Sequence, residues 1–213
     1  MTAPPAAAIE VRRLTYADLP QVVAIERRAF PTPWSLAMFV LELSKASGIC
    51  LAASVEGELT GYLVCSRFDT VWHIMNVAVD PDRHRHGIAS TLLVRLFERV
   101  DDPEAQYTLE VRRSNTGAIA LYDRFRFKAA GLRRRYYADN GEDALIMWRT
   151  PAPRNRKRSY SAIAPVFERR TSSVYCASGS STRSNSRTSS VEAIPWRRRS
   201  GSTAMFMMCQ TVS

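Results

Sequence analysis

The chain has 213 residues, a formal charge of +10, a mean hydropathy of −0.21 and four cysteines. Residues 1–150 carry 19 Lys/Arg against 18 Asp/Glu, whereas residues 151–213 carry 11 against 2, with 14 Ser and 5 Thr. The split excludes basicity, and with it nucleic-acid binding read from charge alone, as a property of the first segment, which is long enough to bury a core.

Glu10–Leu14 alternates like an edge strand. Asp18 offers a helix N-cap, Pro20 suits a first turn, and Leu19, Val22, Val23, Ala29 and Phe30 recur at helical spacing. Pro31 and Pro33 end that helix, and Ser35 caps a second carrying Leu36, Phe39, Val40 and Leu43, closed by Gly48. Ile49–Val55 and Leu59–Arg67 are β-rich runs joined by Glu56-Gly57-Glu58, a hairpin signal. Val71–Val79 is a third strand of this group, ended by Asp80-Pro81. After a loop at His84–Gly87 comes the clearest helix, with Ala89, Leu92, Leu93, Leu96, Phe97 and Val100 on one face. Gln106–Val111 reads as a strand, and Ser114 or Asn115 opens a helix with Ala118, Leu121, Tyr122 and Phe125 inward. Strands at Phe127–Tyr137 and Ala144–Trp148 follow, joined by a turn at Ala138-Asp139-Asn140-Gly141. The order β-α-α-β-β-β-α-β-α-β-β belongs to the α/β class, a mixed sheet with helices on both faces and neither Rossmann nor barrel alternation. The domains expected are a flexible N-terminus over 1–8, a folded domain over 9–150 and a disordered basic Ser/Arg-rich tail over 151–213, too poor in apolar surface to offset its ordering entropy.

No run approaches the roughly 18 apolar residues of a membrane span, and residues 1–8 lack the pattern of a signal peptide. Cys50, Cys65, Cys176 and Cys209 show no metal-ligand spacing, and Cys50 and Cys65 sit in apolar runs, which points to buried free thiols in a reducing compartment. His73, His84 and His86 have no cysteine or carboxylate at zinc spacing, so no metal is expected.

Three places can carry chemistry. Residues 80–90 put a glycine and small residues at a helix N-terminus, where exposed N–H groups and the helix dipole favour a pyrophosphate; the plain alternative is a solvated β-to-α loop. Glu110 lies between the inward-facing Leu109 and Val111, so its carboxylate points to the opposite face. In a cleft it would have a raised pKa and act as a base near neutrality, and otherwise it is a surface glutamate. Tyr122, on a helix, is by itself an ordinary core tyrosine.

Jointly these residues carry a resemblance. Val77-Ala78-Val79-Asp80-Pro81 with Arg85-His86-Gly87-Ile88-Ala89 resembles the coenzyme-A-binding motif of the GCN5-related N-acetyltransferases, Gln/Arg-x-x-Gly-x-Gly/Ala. Ile25-Glu26 through Phe30 to Pro33-Trp34-Ser35, Leu109-Glu110-Val111-Arg112 with Ser114-Asn115 and Ala118–Tyr122, and Tyr136-Tyr137 through Glu142–Met147 resemble the ribosomal-protein alanine N-acetyltransferases, the RimI group. The resemblance spans residues 10–149 and implies a GNAT acyl-CoA N-acyltransferase fold, acetyl-CoA as co-substrate, no metal, and acetyl transfer to a free N-terminal α-amine. The typical acceptor is the N-terminal alanine of the small-subunit ribosomal protein numbered eighteen. It implies Glu110 as general base and Tyr122 as the acid for the departing thiolate. Val77, Ala78 and Val79 would bind pantetheine and the thioester oxygen through backbone groups. His84, Arg85, His86, Gly87, Ile88, Ala89 and Ser90 would surround the pyrophosphate, Asn115 would hold the cofactor, and the Pro33-Trp34-Ser35 loop would border the acceptor groove.

Two departures carry expectations. His84 stands where the motif has Gln or Arg, which predicts weaker or pH-sensitive cofactor affinity. Arg126 replaces a glycine that ends the Tyr122 helix in a left-handed conformation, at a cost of about 1 kcal/mol or more. For residues 151–213 two readings stand: a disordered arm making a weak RNA contact, or an out-of-frame extension. The expected setting is a cytoplasmic enzyme, monomeric or weakly dimeric and off the membrane. The rival functions are acetylation of a lysine or small amine, and a catalytically impaired acetyl-CoA-binding module with an RNA-binding tail.

Overall fold

The computed structural model describes residues 8–151 and the backbone of Gln210–Thr211. The expectations for residues 1–7, for Cys176 and Cys209, and for the rest of the basic tail, including its RNA contact, lie outside the described residues. Seven strands form one sheet: β1 (Ile9–Arg13), β2 (Gly48–Val55), β3 (Glu58–Phe68), β4 (Val71–Val79), β5 (Gln106–Arg112), β6 (Lys128–Arg133) and β7 (Ala144–Arg149). Their spatial order is β1-β2-β3-β4-β5-β7-β6, antiparallel throughout except for the parallel β4–β5 pair. A short β8 (Gln210–Thr211) pairs in parallel with β4.

Helices α1 (Leu19–Ala29) and α2 (Leu36–Ser44) cover one face, and α3 (Ile88–Val100) and α4 (Thr116–Arg124) the other. Alternation along the strands explains the two cores. Ile74, Val77, Val79, Leu109 and Val111 pack under α3 and α4, while Met75, Ala78, Tyr62 and Val64 pack under α1 and α2. The α3 stripe is as its period predicts, with Leu92, Leu93, Leu96 and Phe97 buried, but Ile88 rather than Ala89 begins it. Cys50 and Cys65 are buried free thiols, and burial pushes the Cys50 thiol up to about 12.

Two local expectations are corrected. Asp18 stands at the N-cap position of α1, but its side chain makes no bond to that helix; its carboxylate takes the Thr15 N–H and hydroxyl (each 2.8 Å) and both Arg12 guanidinium nitrogens (each 2.7 Å), closing a 3₁₀ turn over Tyr16–Asp18. The sixth strand stops at Arg133 instead of running to Tyr137. Arg112 is the reason: it stacks 3.9 Å above the Tyr137 ring and binds Asp139 (2.8 Å) and Glu142 (3.2 Å), drawing the connecting loop onto the end of β5.

Candidate active site

The site begins where two strands part. β4 and β5 are paired only through Val71–His73 and Gln106–Thr108, after which the ladder stops. A register shift in the β3–β4 pairing matches Val64 with Asn76 and Cys65 with Ile74, leaving Met75 as the extra residue of a bulge. The backbone of β4 from Asn76 onward is therefore available to an extended guest, and Gln210–Thr211 pairs there with Asn76 and Val77. Val77, Ala78 and Val79 are at most 3 % exposed, with side chains committed to the two cores. What these three can offer the cleft is main chain, as the sequence motif requires.

Directly after β4 the chain turns into a cradle. Asp80 takes the Asp82 N–H at 2.9 Å, and Arg28 of α1 spans Asp80 (2.6 Å) and Asp82 (2.7 Å), anchoring the turn. Arg85 and Gly87 both have left-handed backbone, with φ of 65° and 83°, and Gly87 is the N-cap of α3. An added Cβ at Gly87 would meet nothing within 4 Å, so dihedral preference, not crowding, selects glycine. Left-handed residues at a helix N-terminus turn successive N–H groups toward one point, which suits an anion. The histidines support this cradle from within. His84 Nε2 donates to the Val79 carbonyl at 3.1 Å and His86 Nδ1 to the His84 carbonyl at 2.8 Å, each in the tautomer that an accepting carbonyl demands. Ile88 is buried, and Ala89 and Ser90 are half-buried on the first turn of α3. Gly61 of β3, which sequence reasoning passed over, lets the layers close here: a Cβ on it would lie 2.9 Å from the Ala78 carbonyl and 3.0 Å from Ile88 Cγ2. A glycine inside a β-rich run was the available signal.

Glu110 lies on the β5 wall, turned to the α1/α2 face and 2 % exposed. Its Oε2 is 3.0 Å from His73 Nε2 on β4 and its Oε1 is 3.0 Å from Arg133 Nη2 on β6. Burial pushes the carboxyl up, but the His73 hydrogen bond and the charges of His73 and Arg133 outweigh it, so Glu110 sits below the usual glutamate range. The expectation of a raised pKa is thereby corrected: the sequence could show that Glu110 faces away from Leu109 and Val111, but not that His73 and Arg133 meet it there. His73 is the residue that sequence reasoning missed. It was dismissed for lacking a metal spacing, although its strand position places it beside Glu110.

Tyr122 is fully buried on α4, edge-on to Phe127 with ring centroids 5.5 Å apart. It therefore belongs to the α3/α4 layer, whereas Glu110 faces the other one. Asn115 caps α4 by accepting the Ala118 N–H at 3.0 Å, so its side-chain oxygen serves the helix that carries Tyr122. At the far end of α4 the Phe127 N–H reaches the Tyr122 carbonyl (3.0 Å) and the Arg126 N–H the Asp123 carbonyl (2.9 Å), a Schellman ending with Arg126 at φ 67°. Arg126 thus occupies the left-handed position anticipated for a glycine. On the α1/α2 face the Pro33-Trp34-Ser35 loop is held by Glu26, whose Oε1 accepts the Trp34 N–H at 2.8 Å. Among the described residues no three His, Cys, Asp or Glu side chains gather as metal ligands would.

A model of the acetyltransferase (GNAT) family matches residues 19–127, from the start of α1 to just past α4. This chain belongs to that family. Within it, the chain is 34 % identical over 140 residues to the [ribosomal protein bS18]-alanine N-acetyltransferase of Escherichia coli (strain K12), covering 64 % of this chain and 94 % of the relative. It is 33 % identical over 152 residues to an N-alpha-acetyltransferase of Sulfurisphaera tokodaii, covering 64 % and 90 %. The crystal structure of the Escherichia coli ribosomal-protein-S18-alanine N-acetyltransferase superposes with a TM-score of 0.63 at 32 % identity, covering 70 % of this chain and 99 % of that one. The GNAT chain described here is an N-acetyltransferase whose acetyl donor is acetyl-CoA, and its similarity to the RimI group is borne out by these relatives. The structure fits that co-substrate in two ways: the left-handed Arg85 and Gly87 at the α3 N-terminus suit a pyrophosphate, and the parted β4 edge suits an extended arm.

Proposed function

We propose that this GNAT enzyme acetylates the free α-amino group at a protein N-terminus, with the N-terminal alanine of ribosomal protein bS18 as the acceptor. The observation that carries the reading is the buried Glu110–His73 pair at the mouth of the β4–β5 cleft, in a chain whose relatives are named for α-amine acceptors. An α-ammonium has a pKa of about 8 and cannot attack until it loses a proton, which a nearby carboxylate can take at small cost. Glu110 alone, held low by its His73 hydrogen bond and by Arg133, is a weak proton acceptor. His73 Nε2 at 3.0 Å gives the accepted proton a neighbouring ring nitrogen through which to leave. Acetyl-CoA, when bound, supplies an activated acyl carbon and a thiolate leaving group. The main chain of Val77–Val79 holds the arm of that molecule and donates to the carbonyl oxygen as it gains charge. Residues 84–90 hold its pyrophosphate, and Asn115 keeps α4 in place behind it. Tyr122 gives its hydroxyl proton to the thiolate as the C–S bond breaks and the N–C bond forms. The nitrogen loses its second proton as the N–C bond forms, and that proton returns to Tyr122 through solvent; its third hydrogen stays as the amide N–H, and the proton first taken by Glu110 goes to solvent.

The acceptor class supports a cytoplasmic setting, and among the described residues no helix is long and apolar enough to cross a membrane. The deciding assay incubates the protein with acetyl-CoA and a peptide bearing the bS18 N-terminus, either free or chemically blocked. CoA release with the free peptide alone supports the proposal, and equal release with the blocked peptide refutes it. Glu110→Gln should slow turnover about 100-fold or more; an unchanged rate would remove Glu110 from the role of base.

A further inference from the structure

Outside the reacting groups two further carboxylates are buried, Glu42, which pairs with Lys45, and Glu26, which proton transfer does not use. Glu26 of α1 is 0 % exposed. Its partners among the described residues are all neutral: the Trp34 N–H at 2.8 Å, the Tyr62 hydroxyl, and the Asn76 amide nitrogen at 3.3 Å from each oxygen. A buried carboxylate satisfied only by neutral donors costs folding energy that an apolar residue would not, so its retention calls for a role. Its partners come from the Pro33-Trp34-Ser35 loop, from β3 and from β4. One side chain thereby joins the loop beside the acceptor groove to the strand that carries Val77–Val79.

Asn76 supplies the second observation. The bulge at Met75 turns it toward α1, one residue before the backbone assigned to the co-substrate. Because a carboxylate only accepts, the Asn76 amide must present its NH₂ group to Glu26, which fixes the orientation of the amide. Its Oδ1 is then left buried with no hydrogen-bond partner among the described protein atoms. A buried acceptor left unfilled in the protein alone is costly and suits a donor that arrives with a ligand.

We propose that Glu26 and Asn76 seat the acceptor: Glu26 is a positioning residue that fixes the Trp34 loop and the Asn76 amide, and Asn76 Oδ1 receives an N–H of the acceptor's first residue. This rests on the reading that the Trp34 loop borders the acceptor groove. The seat explains why an uncompensated carboxylate lies under α1, and it assigns acceptor affinity to residues separate from the Glu110–His73 pair.

The experiment is steady-state kinetics on the full chain with the bS18 peptide and acetyl-CoA. Glu26→Gln keeps the volume and the acceptor for Trp34, but it sets one amide NH₂ against another at Asn76. The expected result is a peptide KM raised about tenfold, with the acetyl-CoA KM and the pH–rate profile within twofold of wild type. The double variant Glu26→Gln/Asn76→Asp lets the new amide donate to a carboxylate and should return the peptide KM toward wild type. If Glu26→Gln does not fold, Asn76→Ala carries the same test through the peptide KM. An unchanged peptide KM, or a parallel loss of kcat, acetyl-CoA affinity and thermal stability without rescue, overturns the proposal. Wild type failing to acetylate the peptide at all would instead refute the acceptor assignment above, so the two failures are distinguishable.

Discussion

Arg126 closes α4 in a conformation that costs an L-residue with a side chain about 1–2 kcal/mol, and its side chain is exposed. Replacing it with glycine removes that strain while keeping the Phe127 and Arg126 N–H bonds to the Tyr122 and Asp123 carbonyls. Glycine also enlarges the freedom of the unfolded chain, which returns about 0.4–1 kcal/mol. The net gain from Arg126→Gly should be about 1 kcal/mol, which for a domain of this size raises Tm by about 3 °C. Arg126→Ala is the control, because alanine meets the same backbone penalty yet equally removes the charge. Thermal and urea unfolding of the three proteins, monitored by far-UV circular dichroism, would separate the terms. The reasoning fails if glycine brings no gain, or if alanine gains as much.

Other expectations follow from single contacts. Gly61→Ala drives a Cβ to 2.9 Å from a backbone carbonyl and should cost about 2 kcal/mol, raising the acetyl-CoA KM more than the peptide KM; equal stability in urea would show that the layers can part. A chain ending at Thr150 should bind acetyl-CoA at least as tightly as the full chain, since Gln210–Thr211 pairs with the same stretch of β4 assigned to the co-substrate; weaker binding by calorimetry would assign residues 151–213 a share in the site. Asp18 is held well below the carboxylate range by the Arg12 hydrogen bonds. Its stabilising contribution is therefore complete above the unfolded value of about 4 and is lost as pH falls below it. Asp18→Asn should flatten the fall in Tm below that pH, and parallel acid slopes for both proteins would contradict the linkage.

Nearly all the elements were legible in the sequence because local physics sets them: the α3 stripe, the strand alternation around Leu109 and Val111, and Asn115 as the cap of α4. The same holds for Arg126, whose left-handed backbone follows from its place at a helix C-terminus. The motif singles out Glu110 and Tyr122 as candidates, and the alternation indicates which face Glu110 takes. Tertiary structure alone decided what surrounds them. His73 and Arg133 reach Glu110 from two other strands and reverse the direction of its pKa, a sum of burial and charge that no local pattern encodes. Glu26 sits on a helix where a charged residue would ordinarily face water. It is buried because the loop after α1 folds back and a bulge one residue before Asn76 turns that side chain inward, and both depend on pairing between segments far apart in the chain. Sequence determined the elements and the chemistry available to them; the register of β4 against its neighbours decided which side chains meet.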